Sequence, residues 1–175
     1  SKSSTFSFAA AFCCRIKVFM NSRKLGIAII GLGGAVGTTI VAGIELLKKG
    51  KIDKTGLPLA ALGEELTNDL AAYENIVFAG WDLFSEHLAK AAEEHEVLTH
   101  KQFIAVEEEL RAIKPWRATA NKEFLKNIEG ENIVAGGAHR ATIAKIQENL
   151  REFKTRCDDV VVINLASTEK LADEG

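Results

Sequence analysis

The chain has 175 residues, 47% of them apolar and 26% charged, with a formal net charge of −2. That length supports one domain with a well-buried core and is short for two. The near-balanced charge gives no footprint for nucleic acid or another polyanion, and no apolar run approaches the roughly 20 residues that a membrane-spanning helix needs.

The charge is unevenly spread. Residues 1–50 hold seven Lys or Arg and one acid, Glu45, whereas 51–175 hold 15 basic and 23 acidic residues. Cys13, Cys14 and Cys157 match no metal-ligand spacing and no disulfide framework, which favours a reducing compartment and a cytoplasmic location. Residues 1–19 are Ser-rich and basic, and contain the apolar stretch Phe6 to Cys14. One reading is a transit or signal segment. The other takes Met20, the single methionine, as the natural start, so that 1–19 is a disordered extension and the domain occupies 20–175.

In chain order, Leu25 to Ile30 is a short apolar run that suits a strand buried on both faces of a parallel sheet. A glycine cluster follows at once. Thr38 to Lys49 reads as a helix with Val36, Ile40, Ile44 and Leu47 on its apolar stripe, and Gly50 stops it. Residues 51–74, with Gly56, Pro58 and Gly63, form an irregular excursion with one helical turn at most. Asn75 to Trp81 is the next strand, and Ser85 to Glu94 and His100 to Ile113 are helices, the second broken by Pro115. Residues 114–138 carry no clear pattern beyond a helical turn at 123–128. His139 to Cys157 is amphipathic, with Ile143, Ile146, Leu150 and Phe153 on one side. Val160 to Leu165 is a further strand, read as fully buried. Strands separated by helices define an α/β fold, a Rossmann-like parallel sheet with flanking helices. A doubly wound sheet normally continues beyond such a point, so the sheet is read as incomplete.

The sharpest signal is Gly31-Leu32-Gly33-Gly34-Ala35-Val36-Gly37. Gly31 permits a tight turn out of the strand. Gly33 and Gly34 let the backbone approach phosphate oxygens, and Gly37 allows close packing of the helix. The helix N-terminus offers unpaired N–H groups and a partial positive charge to a pyrophosphate. The spacing G-x-G-G-x-x-G between a buried strand and a helix predicts a dinucleotide site, with a purely structural turn as the alternative. No Gly-Lys-Ser/Thr follows, which argues against a P-loop.

Such folds place an acid about 20 residues beyond the loop, on the ribose hydroxyls. Asp53 fits by count but lies in the irregular excursion. Asp82 ends a strand but comes later, and its alternative role is to introduce the next helix. Spacing alone leaves the two equal. Either acid would repel a 2′-phosphate, and no Arg immediately follows Asp82, so the cofactor reads as NAD rather than NADP. Leu165, Ala166, Ser167 and Thr168 stand at another strand's C-terminal edge, where ligands bind in open α/β sheets; a capping segment is the alternative. His87, His95, His100 and His139 make no i, i+4 metal pair and sit on polar helix surfaces. Trp81 and Trp116 read as packing residues, and the Glu93-Glu94 and Glu107-Glu108-Glu109 runs as solvated helix faces.

Three segments together resemble the inositol-3-phosphate synthase family: Gly31 to Thr39, Val77 to Asp82, and Val161 to Glu169. The resemblance covers about 24–170 and favours Asp82 over Asp53. Where eukaryotic members carry two Asn in the glycine loop, this chain has Ala35 and Val36. Where they carry Thr-Ala-Asn-Thr, it has Leu165-Ala166-Ser167-Thr168, as in the bacterial branch. Backbone contacts to the pyrophosphate therefore carry over, and contacts of those Asn side chains do not. The resemblance implies NAD as cofactor and glucose 6-phosphate as substrate, oxidised at C5, enolised, closed into a ring and re-reduced. It places the chain in inositol and phospholipid biosynthesis. It also implies catalytic lysines, a substrate pocket and a tetramer-forming sheet in the later part of the polypeptide. No catalytic residue is assigned within these 175, and a homotetramer is expected only at full length. The remaining alternatives are an NAD(P)-dependent dehydrogenase and a non-catalytic NAD-binding module.

Overall fold

The run Leu25–Ile30 forms β1, and its continuous apolar character is explained by its place at the centre of a sheet. The computed structural model describes residues 23–57, 62, 70–119, 130–134 and 139–166. The extension 1–19, Met20, the turn at 123–128, and Ser167 and Thr168 lie outside the described residues, as do Pro58 and Gly63. The strands β2 (Ile76–Asp82), β3 (Trp116–Arg117) and β4 (Asp159–Asn164) join β1 in a four-stranded sheet of order β3-β2-β1-β4, with every pairing parallel. Its helices are α1 (Ala35–Lys48), α2 (Leu88–His95), α3 (His100–Ala112) and α4 (His139–Lys154), with a short 3-10 turn at Tyr73–Asn75.

Alternation along the strands sends side chains to two cores. Ile29 of β1 and Ile76 and Phe78 of β2 pack with Val41, Leu46, Leu88 and Leu110 under α1, α2 and α3. Ala28, Ala79 and Trp81 face the other way, onto Phe153 and Cys157 at the end of α4. There Trp81 meets Trp116 edge to face at 4.8 Å, and its indole N–H donates to Asn149 Oδ1 at 3.3 Å, so both tryptophans are packing residues. Burial pushes the Cys157 thiol up, against the pull of the nearby Arg156 and Lys154 charges. The register of β4 on β1 is fixed at its start. Lys24 N–H donates to Asp158 Oδ2 at 2.7 Å, and Asp158 N–H returns to Lys24 O at 2.9 Å.

Four expectations are corrected. The helix after the glycine cluster begins at Ala35, three residues early, and its buried face is Gly37, Thr38, Val41, Ala42 and Leu46. Val36 is 59% exposed. That helix is apolar nearly all round, so hydropathy alone did not fix its rotation; the turn that launches it does. The strand at 159–164 is not buried on both faces: it is a sheet edge among the described residues, and Val161 and Val162 are each 47% exposed. On α4 only Phe153 of the expected stripe is fully buried; Ile146 and Leu150 are partly buried against the same core, and Ile143 is exposed. The Glu107 to Glu109 run is only partly a solvated face: Lys49 Nζ pairs with Glu109 at 2.7 Å and ties α1 to α3. No helix among the described residues is long and apolar enough to cross a membrane.

Two predictions follow from this packing. Gly80 stands opposite Ile29 in the β1–β2 register, and a Cβ there would collide with the Ile29 carbonyl oxygen, which is backbone and cannot yield. Gly80→Ala is expected to cost at least about 2 kcal/mol in denaturant unfolding. Partial burial pushes the Glu109 carboxyl up, but the Lys49 hydrogen bond and the Lys49 and Lys48 charges outweigh it and hold the group below its ordinary 4.5. A depressed acid contributes stability above its unfolded pKa and loses it as pH falls through the folded one. Glu109→Gln should therefore cost about 0.5 kcal/mol at neutral pH. The difference from wild type should fade as pH drops below the ordinary carboxylate range.

Candidate functional site

The chain builds outward from β1 to β2 to β3 and then crosses back to lay β4 on the other side of β1. The carboxyl ends of β1 and β4 therefore flank the point where the winding reverses, which is where open α/β sheets leave a crevice for ligands. The glycine turn Gly31 to Gly34 leaves β1 at that point. Gly31 has φ +81°, and a Cβ on it would lie 3.2 Å from the Ala166 amide nitrogen, so the turns after β1 and β4 abut there. Gly37 is equally constrained, since a Cβ would sit 2.5 Å from the Leu32 carbonyl oxygen. The close packing made by Gly37 is thus against the loop's own carbonyls.

Three consecutive backbone N–H groups of the loop are spent on the end of β2. Gly31 and Leu32 both donate to the Trp81 carbonyl, at 2.9 and 3.2 Å, and Gly33 donates to Asp82 Oδ2 at 2.8 Å. Gly34 N–H turns back to Gly31 O at 3.2 Å. The first intrahelical bond runs from Thr38 N–H to Gly34 O at 2.9 Å. The N–H groups of Ala35, Val36 and Gly37 fall in the first turn, where α1 supplies them no acceptor, and no side chain caps that end. These donors, together with the positive end of the α1 dipole, suit an anion. Ala35 and Val36 are exposed, so the approach is open.

The two candidate acids separate cleanly. Asp53 is fully exposed and accepts from Thr55 N–H at 2.8 Å within its own turn; those Thr55 hydrogen bonds hold its carboxyl below the usual range. It is not at a strand end. Asp82 is the last residue of β2, the strand beside β1, and its carboxylate reaches the glycine loop. Its other oxygen accepts from Phe84 N–H at 3.3 Å. The long count from loop to acid is the length of the excursion between α1 and β2. Leu165 continues the β4 pairing through its N–H to Ile30 O at 2.9 Å, and Ala166 N–H is held by Asn164 Oδ1 at 3.0 Å.

Two contacts at the site were not read from the sequence, where His95 stood only as a polar-surface histidine and Asn132 was not singled out. His95, at the end of α2, places Nε2 at 2.9 Å from Gly33 O. Asn132 Nδ2 donates to the Asp82 and Trp116 carbonyls at 2.9 and 3.1 Å, stitching together the ends of β2 and β3. Asn132 lies in the stretch 114–138, which carries no clear sequence pattern, two residues after Gly130 with its φ of +140°. Nothing local marks His95, because the contact joins residues 62 positions apart.

A parallel sheet wound in this order, with a glycine turn at its switch point and an acid ending the neighbouring strand, defines a dinucleotide-binding α/β domain. The family model that matches residues 64–175 is of an NAD-binding domain and is described as Myo-inositol-1-phosphate synthase. The chain belongs to that family. The matched range begins after the glycine loop, but the curated relatives reach across it. The chain is 34% identical to inositol-3-phosphate synthase 1 of Bacteroides thetaiotaomicron over 86% of its own length and 39% of the relative's. To inositol-3-phosphate synthase 1 of rice, Oryza sativa subsp. japonica, it is 26% identical over 86% of this chain and 35% of that one. An alignment covering 86% of 175 residues cannot omit 31–37. In fold it matches the crystal structure of the Caenorhabditis elegans inositol-3-phosphate synthase, with a TM-score of 0.70, 18% identity, and coverage of 86% of this chain and 36% of that one. The chain thus spans less than two fifths of the length of these relatives.

Removing the Asp82 carboxylate should loosen the loop directly. In Asp82→Ala, amide exchange at Gly33 is expected to rise at least about tenfold, with β1 amides unchanged, as read by NMR.

Proposed function

We propose that this chain is the NAD-holding domain of an inositol-3-phosphate synthase acting on glucose 6-phosphate. One observation carries the reading: Gly33 N–H and the Asp82 carboxylate meet at 2.8 Å where the loop after β1 crosses the end of β2, so the pyrophosphate cradle and the ribose acid belong to one site. The residues fit a dinucleotide. A side chain on Gly33 would fill the space before Asp82, its Cβ 3.2 Å from the carboxylate. The amides of Ala35, Val36 and Gly37 take the pyrophosphate, with Gly31, Gly33 and Gly34 supplying the curve that exposes them. Asp82 accepts from the ribose hydroxyls with the acceptor capacity its carboxylate has beyond the bonds from Gly33 and Phe84 N–H. Its charge disfavours a 2′-phosphate. Leu165 and Ala166 stand on the nicotinamide side of the crevice, and Ser167 and Thr168, which follow them in sequence, are assigned to the same part of the cofactor.

When bound, NAD supplies a hydride acceptor that can return what it takes, which suits an isomerisation with no net redox change. Since the chain spans less than two fifths of its relatives' length, the substrate pocket and catalytic groups are assigned to the remainder of their length. The homotetramer and the cytoplasmic location are part of the same reading.

The test is calorimetric and kinetic. Wild type should bind NAD more tightly than NADP, and Asp82→Ala should weaken NAD binding about 10- to 100-fold, the loss expected for hydrogen bonds to a charged acceptor. The whole protein carrying this domain should convert glucose 6-phosphate to an inositol phosphate without accumulating reduced nicotinamide. Stoichiometric accumulation with substrate would instead make it an ordinary dehydrogenase.

A further inference from the structure

Gly33 is gripped on both sides. Its N–H donates to Asp82, and its carbonyl oxygen lies 2.9 Å from His95 Nε2. A carbonyl only accepts, so Nε2 bears the hydrogen in this contact. His95 is delivered from a fixed support. Leu88, Ala89 and Ala92 bury α2 in the core, and Glu96 ends the helix in the left-handed conformation at φ +50°.

The pair Gly33-Gly34 is the most permissive stretch of the loop. Asp82 holds only its leading edge, and on the proposed reading the ribose hydroxyls compete for that carboxylate once NAD binds. The Gly34 N–H bond to Gly31 O ties the same peptide from within the loop, and a hold from outside the loop lowers the ordering left for a glycine pair at the moment of binding. Among the described residues, His95 is the side chain whose hydrogen bond reaches this peptide from outside the loop.

We propose that His95 is a cofactor-positioning residue, pinning the Gly33 carbonyl so that the Ala35, Val36 and Gly37 amides stay turned toward the pyrophosphate. This rests on the NAD-binding reading above. It assigns to a surface histidine a part in binding through the loop, without contact to the ribose.

The experiment compares wild type, His95→Ala and His95→Gln by NAD titration and by amide exchange in the unliganded protein. His95→Ala should raise the Kd for NAD about fivefold, the effect of one hydrogen bond. It should also speed exchange at Gly34 while leaving the Ala92 amide in α2 unchanged. His95→Gln, which keeps an N–H donor, should recover most of both. A Kd in His95→Ala within twofold of wild type overturns the proposal. So does a loss accompanied by faster exchange through α2, which would mark a merely structural role. If wild type itself binds no NAD, the parent reading falls and this one with it; if it binds and His95→Ala matches it, only the role of His95 falls.

Discussion

The site depends on how the loop after β1 is hung from the end of β2. The amides of Gly31, Leu32 and Gly33 all turn to Trp81 and Asp82, two by way of a backbone carbonyl and one by way of a carboxylate. Using up those three donors forces the chain to curl, and the curl launches α1 with its first-turn amides open and uncapped. The same bonds rotate α1 so that Gly37 and Thr38, not Val36, face inward. Loop, helix rotation and acid are therefore one mechanical unit. A change at any of them should be felt at the others.

The core supports this arrangement from both sides. Without a side chain at Gly80, β1 and β2 approach closely enough for the Trp81 carbonyl to reach the loop. Trp81 itself is locked from beneath by Trp116 and Asn149. Asn132 then holds the backbone just past the acid, so Asp82 is presented from a position tied to two strands. An acceptor for ribose hydroxyls gains from this rigidity, since less ordering is left to pay on binding.

Much of this was legible in the amino-acid sequence, and what was not has physical reasons. The β1–glycine–α1 unit, β2, α3 and the end of β4 are marked by local pattern: apolar runs, a glycine cluster, and Gly50 and Pro115 as stops. Asp82 was one of two candidates on spacing. The family resemblance favoured Asp82, and the strand order adds a physical reason, since it sets β2 beside β1 and leaves Asp53 in an exposed turn. The rotation of α1 was misread because a nearly all-apolar helix has no strong stripe. The exposure of Val161 and Val162 was misread because an edge strand and a central one share the same composition. β3 is two residues long and carries no periodicity at all. His95 and Asn132 act across 62 and 50 positions of chain, a distance that no motif encodes.

The central claim is that NAD sits on the first turn of α1 between the glycine loop and Asp82. It is tested most directly by titrating the ¹⁵N-labelled protein with NAD and following every backbone amide. The account predicts saturable shifts that are largest at Gly33 to Gly37 and at Asp82, with the exposed faces of α4 and β4 unmoved. An absence of saturable change at those amides, or a maximum on α4 and β4, would contradict it.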